Sequence, residues 1–243
     1  MTSDVNEGSR QSDIRLAAAS PAQQPSAQRL DCSADIQEAA RRILAGGLVI
    51  YPTETFFGIG CRVDAPEALQ RVFAAKRRSP DMPLPVILGS VEQLPLVADI
   101  PAAMLGDVEK IAEFWPAPLT ILLPAVHALP DILTGGTGRI AVRVSAHPAA
   151  RALSQACGLP IVSSSANISG RPAVTSATEL DPELIAFLGS DDMPDGILDM
   201  PPAPGGGMAS TIVEPLGQRQ LRIRREGALP LSQLIKAGFT FLS

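Results

Sequence analysis

The chain has 243 residues, a formal net charge of -5 and two histidines. That is length for one sizeable core, and the overall charge excludes a surface that binds polyanions all over. With 46% hydrophobic but 4% aromatic residues, the interior is built from Ala, Val, Leu and Ile, as where buried strands alternate with Ala-rich helices. Cys32, Cys61 and Cys157 are far apart and show no C-x-x-C spacing, which removes a disulfide framework and a zinc site and points to a reducing cytoplasm.

No stretch of 18 apolar residues is present, so a membrane-spanning helix is excluded. Residues 1 to 32, rich in Ser, Ala and Gln, bury too little to offset ordering entropy and read as a disordered tail. Asp4, Glu7 and Asp13 argue against a transit peptide, because such peptides are poor in acids. Residues 33 to 230 read as one domain, and 231 to 243 as a short closing helix and tail.

Ser33 is placed to cap a helix whose apolar positions Ile36, Ala39, Ala40, Ile43 and Leu44 share one face, and Gly46-Gly47 stops it. A strand over 48 to 51 runs into Pro52-Thr53-Glu54-Thr55, at the carboxyl end of the strand, where open α/β sheets bind ligands. The lone acid Glu54 there either positions a metal or caps a turn. Asp64 and Glu67 have capping-box spacing for the next helix, whose face Leu69, Val72, Phe73 is continued by Lys76. The run Lys76-Arg77-Arg78 suits a helix C-terminus, yet Lys76 extends the buried stripe and Pro80, Pro83 and Pro85 stiffen the adjoining segment.

Further strands are predicted at 85 to 88, 119 to 123, 139 to 144, 159 to 163, 210 to 214 and 220 to 224. Helices are predicted at 101 to 113, 147 to 156, 176 to 187 and 230 to 237. This order predicts an α/β fold: an open, twisted, mixed sheet with helices on both faces. The glycine loops at 135 to 138 and 201 to 207 precede strands, so neither is a P-loop. Cys157, at a helix end, reads as an inert core residue, and His147 as a helix-start residue.

From Ile161 to Pro172 a buried strand ends in Ser163, Ser164, Ser165, Asn167 and Ser169, followed by Gly170-Arg171-Pro172. Either a ligand uses these groups or they close Asx and Ser turns. With Lys76, Arg78 and the basic stretch Arg222, Arg224, Arg225, they describe a pocket for a small anionic, hydroxyl-bearing molecule.

At these residues the sequence resembles the YrdC domain family, whose members make threonylcarbamoyl adenylate, over residues 36 to 230. Tyr51 to Gly60, Lys76-x-Arg78 with Pro83-Leu84, Phe114 to Thr120, Val142-Arg143 with His147-Pro148, Ser165-Ala166-Asn167-x-Ser169-Gly170-x-Pro172, Ser210-Thr211 and Arg225-x-Gly227 follow in family order. The resemblance implies a YrdC-like open sheet with a positive cavity. It further implies that L-threonine, bicarbonate and ATP combine into L-threonylcarbamoyladenylate for tRNA modification, with Lys76 and Arg78 as catalytic residues.

By the same resemblance, Lys76, Arg78, Ser165, Asn167 and Arg225 hold ATP, while Thr55, Arg143, Ser163 and Ser210 hold threonine. No protein metal ligand is implied. Mg²⁺ shares the triphosphate charge, and the product passes to a downstream tRNA threonylcarbamoyl transferase complex. Met82, Ile87, Arg139, Ser145 and Ala173 depart from residues usual in the family. The alternative is a YrdC-fold module that binds double-stranded RNA through the same basic concavity, and a weak RNA contact is expected even of an enzyme. Carbamoyl transfer in a hydrogenase-maturation protein is a third reading; it comes with zinc-finger-like and acylphosphatase-like segments that this sequence does not show.

Overall fold

A computed structural model describes residues 1–2 and 32–242. The expected disordered tail, except for Met1, Thr2 and Cys32, lies outside the described residues; Cys32 itself already belongs to a strand. Among the described residues the elements run from β1 (Cys32–Ser33) and α1 (Ile36–Leu44) to β2 (Val49–Pro52), β3 (Phe57–Gly60) and α2 (Pro66–Lys76). Next come β4 (Val86–Leu88), a 3₁₀ turn at Val91–Leu96, α3 (Ala102–Ala112), β5 (Leu119–Pro124), α4 (Asp131–Thr134), β6 (Arg139–Val144) and α5 (Pro148–Cys157). The chain closes with β7 (Ile161–Val162), β8 (Ser164–Ser165), α6 (Pro182–Leu188), β9 (Gly196–Leu198), β10 (Thr211–Gly217), β11 (Gln220–Arg225), α7 (Leu231–Lys236) and β12 (Thr240–Leu242).

The α/β class and the mixed strand directions match expectation, but among the described residues the strands divide into two sheets. The small sheet runs β1-β9-β2-β3-β8, and the large one β12-β11-β10-β5-β6-β4-β7. One short segment joins them: Ile161 and Val162 pair with β4, and Ser164 and Ser165 pair with β3. Ser163 sits at the crossing, its N–H donating to Pro85 O at 2.8 Å.

Side-chain alternation decides what each face touches. On β2, Val49 and Tyr51 pack with Ala39 and Ile43 of α1 and Ala150 and Leu153 of α5, whereas Ile50 joins Val72 and Phe73 of α2 in the main core. Helices therefore cover both faces of this strand. In the large sheet, Ile121, Val142 and Val213 are buried in the main core, and their neighbours Thr120, Ala141 and Ile212 line a cavity. Among the described residues, that face of β5, β6 and β10 lines a cavity in place of a packed helix.

Several local expectations are corrected. Asp35, not Ser33, caps α1, its Oδ1 accepting from Gln37 N at 2.8 Å; Ser33 lies in β1 and its Oγ accepts from Asp35 N. Leu44 remains 41% exposed, because the turn that Gly46 makes at φ +90 follows at once. Asp64 does not cap α2; it pairs with Arg62 at 2.8 Å, and Ala65 caps without a side-chain bond. The helix expected over 176 to 187 splits at Asp181-Pro182 into a 3₁₀ turn and α6, since proline has no N–H to continue the first piece. Beyond α7 the supposed tail forms β12, which pairs in parallel with β11. Strands β1, β3, β9 and β12 and helix α4 are too short for a periodicity to announce them.

Other readings stand. Lys76 continues the buried face of α2 and is 2% exposed. His147 caps α5 by accepting from Ala149 N at 3.2 Å. Burial pushes the Cys157 thiol up to about 11, so it is no nucleophile at neutral pH. No helix among the described residues is long and apolar enough to cross a membrane.

Gly60 illustrates how tightly the sheets meet: a Cβ there would stand 2.2 Å from Val162 O and 2.8 Å from a Tyr51 ring carbon. Gly60→Ala is expected to cost about 3 kcal/mol or more, as overpacking against backbone does. Gly106→Ala, in α3 with nothing within 4 Å of its added methyl, should instead stabilise by about 0.5–1 kcal/mol. Urea denaturation of both variants checks the pair.

Candidate active site

The cavity has a volume of about 580 Å³. Its floor is the uncovered face of the large sheet: Thr120 and Leu122 from β5, Arg139, Ala141 and Arg143 from β6, Ile212 from β10, and Arg224 and Arg225 from β11. The facing wall comes from the small sheet, with Thr53, Thr55, Phe56, Phe57 and Gly58, and Ser163, Ser164 and Ser165 line the joint. Arg78, Met82 and Pro83 close one side, Ala209 and Ser210 another. The polar end of the 161–165 segment is thus explained: the chain crosses between sheets there, and Ser163, Ser164 and Ser165 all line the hollow.

Five lining residues are arginines and none is acidic. In an acidic chain this concentrates positive potential in one concavity. Burial holds the Arg78 guanidinium below its ordinary value. Burial first, and then the charge of Arg143, does the same to Arg225. Cations held in this way are stabilised by an arriving anion, and the site is set for one before it comes.

Carboxylates compensate the arginines from outside the lining. Arg143 is 7% exposed and its Nε lies 3.2 Å from Glu54 Oε1. Neither atom finds a well-aligned hydrogen bond, so the contact is Coulombic. Glu54 Oε2 accepts from Ser145 Oγ. Glu54, a metal ligand or turn cap in the sequence reading, is an ion-pair partner instead. Its carbonyl accepts from Gly205 N at 3.2 Å and that of Thr55 from Gly206 N at 2.8 Å, which ties the 201–207 loop to the same wall.

Of the nine residues singled out from the sequence, Thr55, Arg78, Arg143, Ser163, Ser165, Ser210 and Arg225 line one cavity. Ser210 Oγ pairs with Thr120 Oγ1 at 2.8 Å, and Arg225 Nη2 donates to Ser210 Oγ at 3.1 Å and to its carbonyl at 2.8 Å. Arg78 donates to Pro83 O at 2.9 Å, while its buried Nε has no hydrogen-bond partner among the described residues.

Lys76 and Asn167 stand behind the lining. Lys76 Nζ donates to the carbonyl of Ser165 and, at 2.6 Å, to that of Asn167. Asn167 Nδ2 donates to Ile168 O at 3.1 Å and to Arg171 O at 2.5 Å. Together they fix the turn that presents Ser165. Sequence inspection gave no role to Thr120 or Thr137 and placed Arg224 only within a basic stretch; alternation within the strand predicted at 119 to 123 was the available signal for Thr120.

Residues 41–227 match the Sua5/YciO/YrdC family model, which carries the description "Telomere recombination". The threonylcarbamoyl-AMP synthase of Alkalilimnicola ehrlichii is 43% identical over 146 residues, 60% of this chain and 74% of that protein. The threonylcarbamoyl-AMP synthase of Pyrococcus abyssi is 38% identical over 207 residues, 83% of this chain. This chain spans a little over half of that longer protein, 56%. Among solved structures, P. abyssi Sua5 complexed with L-threonine superposes with a TM-score of 0.71 at 35% identity, covering 83% of this chain and 56% of that one.

Burial, and then the nearby Arg78, pushes Lys76 down from 10.5 to about 7. A neutral amine still carries two N–H groups, enough for both carbonyls. Between these values the unfolded chain holds a proton that the folded chain has released, so stability rises with pH from about 7 to 10.5. Lys76→Met is expected to remove that rise and to cost about 2–4 kcal/mol by orphaning two buried carbonyls. Thermal melts across this pH range measure both effects.

Proposed function

This chain belongs to the Sua5/YciO/YrdC family, and on that premise we propose that it is a threonylcarbamoyl-AMP synthase. It joins L-threonine, bicarbonate and ATP into L-threonylcarbamoyladenylate and releases pyrophosphate, in the cytoplasm, for transfer to tRNA by a downstream threonylcarbamoyl transferase complex. The observation that carries this reading is the convergence of hydroxyls and guanidiniums from seven separate stretches on one hollow. A double-stranded RNA module spreads its contacts along about 16 base pairs and has no need of such convergence.

Arg143 takes the threonine carboxylate, with Glu54 behind it to hold the guanidinium in register. Thr55, Ser163 and Ser210 supply hydroxyls to the rest of the amino acid. Arg78, Ser165 and Arg225 hold the nucleotide phosphates, while Lys76 and Asn167 serve the nucleotide by fixing the Ser165 turn. The threonine amine loses a proton, and its nitrogen forms a bond to the carbon of bicarbonate-derived carbon dioxide, giving a carbamate. A carbamate oxygen then bonds to the α-phosphorus as the bond to pyrophosphate breaks. Carbamates decompose in water, so the enzyme gains most by alignment and exclusion of solvent.

No group of three or more His, Cys, Asp or Glu residues among the described residues offers a metal site. Mg²⁺ enters this reading only as the counter-ion that ATP carries, without protein ligands.

Purified protein is expected to release pyrophosphate from ATP only when threonine and bicarbonate are both present; equal turnover without threonine would remove the assignment. Losing charged hydrogen bonds worth about 1.5–3 kcal/mol each, Arg143→Ala should raise KM for threonine at least tenfold with little change in KM for ATP. Arg143→Lys should restore little of it, because a point charge lacks the fork. Steady-state kinetics on both variants, each with a retained thermal transition, checks this.

A further inference from the structure

Arg139 and Arg224 line the cavity floor, yet neither threonine nor the phosphate contacts of Arg78, Ser165 and Arg225 use them. Both are anchored by Glu214, which is 5% exposed. Glu214 Oε1 accepts from Arg139 Nη2; its Oε2 accepts from Arg224 Nε at 2.8 Å and from Arg222 Nη1 at 3.4 Å. One carboxylate against three guanidiniums leaves an excess of two positive charges. The carboxylate is buried, whereas the arginine side chains keep 30%, 44% and 46% of their surface open for Arg139, Arg224 and Arg222. The excess therefore faces solvent and the cavity.

We infer that Arg139 and Arg224, held by Glu214, form a polyphosphate subsite that receives the β- and γ-phosphates of ATP and then the departing pyrophosphate. This deepens, and rests on, the synthase reading. The surplus of two charges selects polyphosphate over a second carboxylate, because it suits an anion carrying more than one.

Spacing is the second argument. Arg139 and Arg143 lie on one face of β6, four residues apart, hence about 13 Å along the strand. From the threonine carboxylate carbon, through nitrogen, carbamate and α-phosphorus, to the β-phosphorus is seven bonds, roughly 9 Å when extended. Adding a contact of up to about 4 Å at either end, one molecule in line for reaction bridges both arginines. The α-phosphorus then falls between them, over Ala141, while Arg225 pairs with Ile212, Ile212 with Thr120, and so stands at the Arg143 end.

Calorimetric titration of the full chain with inorganic pyrophosphate, without threonine, tests the subsite. The variant R139Q/R224Q/E214Q avoids stranding a buried carboxylate. It should bind pyrophosphate at least tenfold more weakly than wild type and keep KM for threonine within twofold. R143A should bind pyrophosphate within twofold of wild type. If the triple variant loses its thermal transition, R224Q, which leaves Arg139 and Arg222 on Glu214, takes its place with an expected loss of at least threefold.

Unchanged pyrophosphate affinity in the folded variant overturns the proposal. So does a variant that loses affinity for an RNA duplex while binding pyrophosphate as before, which would give the cluster to phosphodiesters. Threonine-dependent turnover of the wild type is measured separately, so failure of the synthase reading is told apart from failure of the subsite.

Discussion

Everything in the site depends on holding guanidiniums against a partly dry wall without neutralising them on the side that meets the ligand. A strand face does this through its period of two. On β6, Ile140, Val142 and Val144 are buried in the core, while Arg139, Ala141 and Arg143 are carried on the opposite face. The carboxylates that make the arrangement tolerable, Glu54 and Glu214, are outside the lining and touch the guanidiniums from behind. Removing either would free the cations to repel one another and to drift. Placing either in the lining would repel the anions the site is shaped for.

The joint between the two sheets meets the same demand for hydroxyls. A strand that stayed in one sheet would spend its polar groups on turns. Here the chain leaves β4 at Val162 and joins β3 at Ser164, so consecutive serines line the cavity at the crossing while backbone groups stay bonded, as Ser163 N is to Pro85 O. The buried amine of Lys76 holds the segment just beyond this crossing through Ser165 O and Asn167 O, and the Asn167 amide holds the turn that follows. Stability and binding are coupled in these few residues.

Most of the large elements were legible from sequence because they are long enough for periodicity: β6 was read at its observed bounds, and α2 with its buried stripe through Lys76. The short strands β1, β9 and β12 were not, since they owe their existence to a neighbouring strand and not to their own pattern. Caps failed where a charged partner was preferred to a backbone N–H, as Asp64 prefers Arg62. For the site, motif order gathered residues of which seven line one cavity, but it could not say which side of the wall each group occupies. Lys76 carries a charge, and so reads as a ligand; only packing shows that its three nearest acceptors are Ser165 O, Asn167 O and Asn167 Oδ1.

Departures from the family pattern also acquire a physical sense. Ser145, where proline is usual, donates to Glu54 and accepts from His147 N at 3.1 Å, so it links the Arg143 counter-charge to the cap of α5. Arg139, where threonine is common, draws on Glu214 together with Arg222 and Arg224. A substitution that adds a buried-edge cation is tolerated only where a carboxylate already waits. Since Glu214 lies on β10, two strands away from Arg139 with β5 between, the long reach of arginine across a sheet is what makes this replacement possible. A lysine there would hold all its donors on one nitrogen, whereas a guanidinium keeps one nitrogen on Glu214 and turns another toward the cavity, so the geometry favours arginine at this position.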